Sequence, residues 1–422
     1  MMNIARIVGG GRLSGSVNIS GSKNASFPVM AASLLTEEAC LIHNIPRLSD
    51  TDTMVEILRS LGAEVVRIGE HSLKIQASRV MSEVPAPLMR KIRGSICLMG
   101  ALVGRLGKAT IAVPGGCSIG DRPIDLHIKG FRALGCIIEE KDDILKLDGS
   151  NLRGTTVCLR GARGSTMTGT VNVIMVALRA DGETTIESAA IEPEVTDFCR
   201  YLTQMGAKID GIGTSTLKIV GKVPLHGCEY AIIKDRLEAG TFICAGLITG
   251  GSMDLHGLQC GFLDVFFDKL REMGADVSQS LDGTIRVRSS GQLAGTMVNT
   301  QPYPGFPTDL QAQICALLTQ SRNDSVITEE IYPGRFLYTS ELQKMGAKID
   351  VASPCAHVHG NSKLSGARVE ATDLRASAAL YLAGLCAQGE TFVGGVHHLD
   401  RGYENFEAKL CSLGAQIERM EA

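Results

Sequence analysis

Hydrophobic and polar positions along the chain follow one pattern that recurs six times. In each recurrence an amphipathic run ends at a Leu-Gly or Met-Gly pair, and a stretch of alternating apolar and polar residues follows. Such a run predicts a helix ending in a left-handed glycine, and the alternation predicts a half-buried strand. The six phrases are Leu61-Gly62-Ala63, Leu134-Gly135-Cys136, Met205-Gly206-Ala207, Met273-Gly274-Ala275, Met345-Gly346-Ala347 and Leu413-Gly414-Ala415, with glycines 68 to 73 residues apart.

A second predicted helix precedes each amphipathic one, and its residues are small, apolar and almost uncharged on every face. Helices of this composition are normally buried on all sides. They are predicted at residues 25–35, 95–103, 170–178, 241–248, 310–318 and 376–385. Each repeat therefore reads strand, buried helix, strand, amphipathic helix, strand, which predicts an inverted layering with the sheets outside.

The start of each repeat carries a further signal. Five repeats open with Leu-x-Gly before a short predicted strand, at Leu13, Leu152, Leu225, Leu293 and Leu364. The second repeat has Pro85-Ala86-Pro87-Leu88 in that place.

Six repeats exceed what one core can hold, since single cores stop growing near ~250–300 residues. A long solenoid is less favoured, because no atypical capping repeats are present in the sequence. We therefore expect an α/β protein of two domains with three repeats each, and we place the seam near residues 221–235.

Composition excludes several classes of protein. With 42 basic and 45 acidic residues the net charge is −3, and only 4% of residues are aromatic, so nucleic-acid binding is not expected. No window approaches the ~20 apolar residues of a membrane span, and no secretory signal is apparent, so we expect a cytoplasmic protein without a membrane partner. The 13 cysteines contain no C-x-x-C pair and the nine histidines show no ligand spacing, so neither disulfides nor a metal site is expected.

Charged residues collect in the turns that precede the helices. The turns before the buried helices carry Lys23, Arg93, Arg163, Arg236, Asp309 and Arg375, and most of those before the amphipathic helices carry Arg47, Arg122, Glu192, Arg335 and Arg401. Because a helix N-terminus is already positive, a cation there is costly unless an anion binds. The set predicts a pocket for a substrate with several phosphate or carboxylate groups, although any single member could be ordinary surface.

Two residues are candidates for chemistry. Cys117 lies in a glycine-rich loop at about residues 113–123, where exposure and the nearby Arg122 would favour its thiolate and make it a nucleophile or acid. An incidental loop thiol is the alternative. Asp309 is either a helix cap or a general base that faces a substrate hydroxyl.

The same segments resemble the UDP-N-acetylglucosamine 1-carboxyvinyltransferases, a family of enolpyruvyl transferases, over essentially the whole chain. The matching phrases are residues 21–25, 92–95, 114–126, 192–194, 235–241, 303–313, 334–336, 371–376 and 400–404. The resemblance implies a two-domain inside-out α/β barrel. Its domains would be residues 22–233, which carry the cysteine lid, and residues 1–21 plus 234–422, with the active site in the cleft between them.

The resemblance also implies roles for residues. Catalysis would use Cys117, Asp309, Lys23 and Arg401. Phosphoenolpyruvate would be bound by Lys23, Asn24, Arg122, Arg335, Arg375 and Arg401. UDP-N-acetylglucosamine would be bound by Asn24, Arg93, Arg122, Pro123, Ile124, Asp125, Leu126, Asp309 and Ile331. No metal and no cofactor is implied.

The implied reaction moves the enolpyruvyl group of phosphoenolpyruvate to the sugar 3-hydroxyl by addition and elimination, the first committed step of peptidoglycan synthesis. The chain departs from the family at Gly164-Ser165-Thr166-Met167-Thr168-Gly169-Thr170. A paralogue with another acceptor, such as shikimate 3-phosphate, and a catalytically silent regulator therefore remain alternatives. A nucleic-acid-processing protein built on related repeats is disfavoured by the charge, and self-association is left open.

Overall fold

The chain separates into two compact units in a computed structural model that describes residues 3–115, 122–289 and 291–421. The N-terminal unit comprises residues 21–115 and 122–233. The C-terminal unit comprises residues 3–20, 234–289 and 291–421, so it includes the first described strands of the chain.

The strands are short, from three to six residues in the described part of the chain. They are β1 (Asn3–Val8), β2 (Ser14–Asn18), β3 (Cys40–His43), β4 (Glu64–Arg67), β5 (Leu73–Gln76), β6 (Lys108–Ala112), β7 (Ile137–Lys141), β8 (Ile144–Asp148), β9 (Thr156–Cys158), β10 (Glu183–Glu187), β11 (Lys208–Asp210), β12 (Thr216–Val220), β13 (Glu229–Ala231), β14 (Ser252–His256), β15 (Asp276–Gln279), β16 (Ile285–Arg288), β17 (Met297–Thr300), β18 (Ser325–Glu329), β19 (Lys348–Ala352), β20 (Cys355–His359), β21 (Arg368–Glu370), β22 (Glu390–Gly394) and β23 (Gln416–Glu421).

The α-helices alternate with these strands. They are α1 (Lys23–Ala32), α2 (Ser49–Ser60), α3 (Ala86–Met89), α4 (Cys97–Leu106), α5 (Asp125–Ala133), α6 (Met167–Ala177), α7 (Pro193–Gln204), α8 (Arg236–Ile248), α9 (Asp264–Glu272), α10 (Gln311–Leu318), α11 (Thr339–Lys344), α12 (Leu374–Cys386) and α13 (Phe406–Ser412). Short 3-10 turns lie at Ser33–Leu35, Arg93–Ile96, Thr308–Leu310 and Val396–Arg401. Among the described residues, none of the helices combines the length and apolar character that crossing a bilayer requires.

Each unit contains three sheets within the described residues. The strand orders are β13-β3-β5-β4, β6-β8-β7 and β11-β12-β10-β9 in the N-terminal unit, and β15-β16-β14-β2, β17-β18-β20-β19 and β21-β22-β1-β23 in the C-terminal unit. Every four-stranded sheet joins one parallel pair to antiparallel pairs, and the strand after Leu-x-Gly supplies the parallel partner. The second repeat forms the short helix α3 there, and its sheet has three strands, since proline cannot donate to a ladder.

The uncharged helices lie inside each unit, packed on one another. Helices α1, α4 and α6 form the centre of the N-terminal unit, and α8, α10 and α12 form the centre of the C-terminal unit. The helices approach so closely that a Cβ on Gly100 of α4 would lie 2.6 Å from the Asn172 carbonyl oxygen of α6. The predicted α/β fold, with buried helices inside and sheets outside, is confirmed, but each of the first five repeats carries two strands after its amphipathic helix where the sequence predicted one.

The six helix-ending glycines adopt the left-handed backbone that the pattern predicts, with φ between 87° and 103°. At the first of them the Ala63 amide donates to the Leu58 carbonyl (3.1 Å) and the Gly62 amide to the Arg59 carbonyl (3.0 Å). These two bonds satisfy carbonyls that the helix end leaves without partners.

One predicted boundary differs clearly. Helix α8 begins at Arg236 rather than Thr241, because the Asp235 carboxylate caps it by accepting the amides of Leu237 (2.8 Å) and Glu238 (3.1 Å). An acidic cap of this kind satisfies the first amides and lets a helix start before its apolar run.

Candidate active site

A charge cluster of the C-terminal unit joins Asp309 to two arginines. Asp309 Oδ1 accepts from Arg335 Nη1 at 2.8 Å, and Asp309 Oδ2 accepts from Arg375 Nη2 at 3.1 Å. The arginine side chains are 6% and 5% exposed, whereas that of Asp309 is 28% exposed. The carboxylate is therefore the most exposed part of the cluster.

Helix starts place two of these residues, and the loop after β18 places the third. Asp309 lies in the 3-10 turn that leads into α10, and Arg375 lies in the first turn of α12. Asp373 caps α12 by accepting the Arg375 amide at 2.8 Å. Arg335 follows β18, and its Nη1 also donates to Thr308 Oγ1 at 3.0 Å.

A buried glutamate holds the loop that carries Arg335. Glu329, at the end of β18, accepts from Thr308 Oγ1 (2.9 Å) and from the Tyr332 amide (2.9 Å). It also accepts from the backbone amide of Ile331 at 3.0 Å. Ile331, which was predicted to bind the UDP-sugar, therefore lies in the same loop. The main chain and side chains beside Asp309 are thus fixed through one carboxylate.

Arg375 is held from its other side by Tyr403. Arg375 Nη1 donates to the Tyr403 hydroxyl at 2.9 Å, and the guanidinium carbon lies 5.4 Å from the centre of the tyrosine ring. That hydroxyl also contacts Thr241 Oγ1 at 2.8 Å and accepts from Gln313 at 3.0 Å. Arg401, also predicted as a site residue, ends the 3-10 turn that packs on α12.

Both arginines stay charged although they are buried. Burial lowers the pKa of Arg335, but the Asp309 and Asp373 carboxylates outweigh it and leave that pKa raised. Burial opposes the charge of Arg375 in the same way, and the Tyr403 and Asp309 contacts leave its pKa raised too. The sequence argument expected cations at helix starts to require an incoming anion, whereas here an internal carboxylate already partners them.

In the N-terminal unit, Lys23 is likewise a buried cation at a helix start that is paired with an internal carboxylate. Its ammonium lies 2.8 Å from Asp50 Oδ2, and the two side chains are 10% and 6% exposed. Lys23 and Asn24 are the first residues of α1, and Asp50 lies in the first turn of α2. A charged pair therefore stands at the start of a buried helix here as well.

Arg93 connects two further predicted segments of this unit. Its guanidinium donates to the Pro114 carbonyl at 3.0 Å and to the Arg122 carbonyl. The predicted sugar-binding residues after Arg122 lead into α5 and begin it; they are Pro123, Ile124, Asp125 and Leu126. The predicted lid at about 113–123 is described only in part, and Cys117 lies outside the described residues.

A buried histidine beside this segment escaped the sequence analysis. His127 of α5 accepts at Nδ1 from Asn172 Nδ2 (3.1 Å), and its Nε2 lies 3.2 Å from Thr168 Oγ1. Burial, together with the nearby Arg93 and Arg122 guanidiniums, lowers the pKa of His127 to about 3. Thr168, where the chain departs from the resembled family, is thus a partner of a neutral histidine.

The sequence as a whole matches one family. The profile of the EPSP synthase (3-phosphoshikimate 1-carboxyvinyltransferase) family matches residues 7–410. The chain belongs to this family of enolpyruvyl (carboxyvinyl) transferases. The family resemblance drawn from the sequence motifs is confirmed.

Among the enolpyruvyl transferases, the chain is similar to several proteins of one name. A UDP-N-acetylglucosamine 1-carboxyvinyltransferase of Methylacidiphilum infernorum is 49% identical over 98% of both chains. A protein of the same name from Koribacter versatilis is 46% identical over 98% of this chain and 96% of its own.

Solved structures agree on the fold. The enolpyruvyl transferase NikO from Streptomyces tendae is 27% identical, with a TM-score of 0.90 over 100% of this chain and 99% of its own. An EPSP synthase from Acinetobacter baumannii is 18% identical, with a TM-score of 0.77 over 100% of both chains, and it supports the fold alone.

Several residues of the candidate site were not found from sequence. Glu329 and Asp50 act through partners far along the chain, and no local pattern marks them. Thr308, Tyr403 and Gln313 lie inside matching phrases, so the resemblance could have pointed to them, but only their contacts reveal what they hold.

We predict that Asp309→Asn destabilises the transferase by about 1–3 kcal/mol, because two buried guanidiniums lose their shared carboxylate. Thermal and urea unfolding measure the loss. Asp268→Asn is the matched control, since Asp268 pairs with Arg271 in an exposed contact of the same unit. Equal unfolding of the two variants would contradict the ion pairs of Asp309.

We predict that the stability contributed by His127 is lost as the pH falls below about 6.5. The unfolded imidazole binds a proton near that pH, whereas the folded one, with its pKa lowered to about 3, does not. The thermal midpoint of wild type should therefore exceed that of His127→Gln most at pH 8, and the gap should narrow toward pH 5. A gap independent of pH would show that His127 is not held neutral.

Proposed function

We propose that the enzyme transfers the enolpyruvyl group of phosphoenolpyruvate to the 3-hydroxyl of UDP-N-acetylglucosamine and releases phosphate. The observation that carries the proposal is the Asp309 carboxylate held between two buried guanidiniums. This arrangement places a potential general base beside two cations that can bind a small polyanion. Relatives 43–49% identical, named for this transfer, support the choice of acceptor.

The reaction proceeds by addition and elimination. Asp309 accepts the proton of the sugar 3-hydroxyl while that oxygen forms a bond to C2 of phosphoenolpyruvate, and an acid delivers a proton to C3. In the second step the C2–O bond to phosphate breaks and a proton leaves C3, which restores the double bond. Charge is stabilised by fixed cations throughout.

The ion pairs of Asp309 suggest how it becomes a base. Arg335 and Arg375 hold the carboxylate form, which weakens it as a proton acceptor. Phosphoenolpyruvate carries a carboxylate and a phosphate and competes for the same guanidiniums. As the substrate takes over these donors, Asp309 loses cationic contacts and its basicity rises when the hydroxyl is present.

The N-terminal unit supplies the remaining roles. Lys23, which pairs with Asp50 in the structure, binds the phosphate of phosphoenolpyruvate instead when the substrate is present. Asn24 and Arg122 also bind phosphoenolpyruvate. Arg401 of the C-terminal unit completes the anion site. The segment from Arg122 to Leu126, with Arg93, Asn24, Asp309 and Ile331, binds the UDP-sugar.

Cys117 is proposed as the acid that protonates C3 and as the residue of a closing loop. The cellular role that follows is the first committed step of peptidoglycan synthesis in the cytoplasm, with consequences for cell shape and division. Fosfomycin, an epoxide that alkylates the corresponding cysteine in the resembled family, is then an inhibitor.

The expected outcome of the decisive assay is phosphate release from phosphoenolpyruvate with UDP-N-acetylglucosamine, and none with shikimate 3-phosphate. Asp309→Asn should lower kcat by about 10²–10⁴-fold, the usual effect of losing a general base. Asp268→Asn should leave kcat unchanged. Release with shikimate 3-phosphate alone would replace the acceptor, and no release by folded protein with either would favour a silent regulator.

Labelling of Cys117 is a separate expectation. Radiolabelled fosfomycin should attach once per chain to wild type and not to Cys117→Asp, and peptide mapping should place the label at Cys117. Cys260→Ser is the matched control, since Cys260 is an exposed cysteine elsewhere in the chain. Label spread over several cysteines would argue against a special environment for Cys117.

A further inference from the structure

A second cluster of ligand-type side chains lies on the C-terminal unit, away from the transferase residues. His357 and His359 are two residues apart on β20 and therefore point to one face of the sheet. Asp324 directly precedes the neighbouring strand β18. One ligand atom from each of these three side chains lies within 4.8 Å of the others.

One of the two carboxylate contacts of His359 is of the kind that orients a metal-binding histidine. Its Nδ1 lies 2.9 Å from Asp324 Oδ2, and its Nε2 lies 3.0 Å from Asp350 Oδ2 on β19. A metal-binding histidine almost always donates its second ring N–H to a carboxylate, which fixes the ring and its tautomer. Asp350 already occupies that position at Nε2, and Nδ1 is the nitrogen that faces Asp324.

We propose that Asp324, His357 and His359 bind a divalent transition-metal ion of the zinc class, with Asp350 orienting His359. Imidazole with carboxylate suits zinc and its neighbours rather than magnesium or calcium. In a tetrahedral zinc site with bonds of ~2.0–2.1 Å, neighbouring ligand atoms lie roughly 3.3 Å apart. The cluster must therefore contract by at most about 1.5 Å, which rotation of exposed side chains allows.

The local charge and the exposure of the side chains also favour a bound metal ion. The Asp324 side chain is 54% exposed and that of His359 is 36% exposed, so an ion can enter from solvent and keep a water ligand. Two carboxylates lie here, and the cation opposite His359 in the strand register, Lys348, offsets only one of them.

The site is independent of the proposed transfer reaction. Asp324 precedes β18, whereas Glu329, which holds the loop near Asp309, ends the same strand. Five steps along a strand separate the two positions by roughly 16 Å. We expect the ion to link β18 and β20 and to raise thermal stability rather than to take part in catalysis.

The sequence analysis found no ligand spacing among the histidines. The His-x-His spacing becomes a ligand spacing only on a strand, and the third ligand lies more than 30 positions earlier in the chain. Pairing of β18 with β20 brings Asp324 to the histidines, because Ser325 lies opposite Val358.

Calorimetric titration of the full chain with Zn²⁺, and absorption spectra with Co²⁺, test the proposal. We expect one high-affinity ion per chain, with Co²⁺ spectra free of thiolate charge transfer. His357→Ala and His359→Ala should weaken binding at least about ten-fold, and Asp350→Asn about 10–100-fold. His226→Ala, at an exposed histidine of the other unit, is the matched control and should bind like wild type.

Phosphate release by each variant should equal that of wild type, which confirms folding and separates this proposal from the transfer reaction. No binding by wild type at micromolar Zn²⁺ would overturn the site. Undiminished binding by both histidine variants, or a thiolate spectrum, would place the ion elsewhere and would also overturn it.

Discussion

The central helices of each unit have no polar face, and this constraint shapes the rest of the structure. From Ala239 to Ile248, for example, α8 is buried at all but one position. Such a helix must be covered on every side by apolar partners, so three of them pack together and the sheets lie outside. The cations beside these helices accordingly lie at helix starts, as Lys23 does in α1, Arg236 in α8 and Arg375 in α12.

Charges at those ends are buried and therefore paired. A lone buried ion is costly, and removing one partner of a buried pair leaves the other uncompensated. Lys23 has Asp50, and Arg335 and Arg375 share Asp309. In the C-terminal unit the same acid that neutralises the cations is the proposed base, so one carboxylate serves both stability and chemistry.

Much of the fold followed from local patterns. The six glycines are left-handed as predicted, and the proline-rich opening of the second repeat forms a short helix in place of the fourth strand. Helix starts were less accurate, because a cap such as Asp235 acts before the apolar run begins. The predicted site residues Asp309, Arg335 and Arg375 lie together, but Glu329 carried no local signal, and only the buried contacts of Tyr403 show that it holds Arg375.

The sequence by itself determined the repeat, its alternation of strands with buried and amphipathic helices, the inverted layering and the membership of the enolpyruvyl transferases, because periodicity, turn residues and similarity are properties of neighbouring positions. Only the tertiary structure decided which charges meet. Asp309 and Arg375 are 66 residues apart, and β1 pairs with β22 and β23 from the far end of the chain. Residues so far apart in the chain come into contact only when the helices pack and the sheets form.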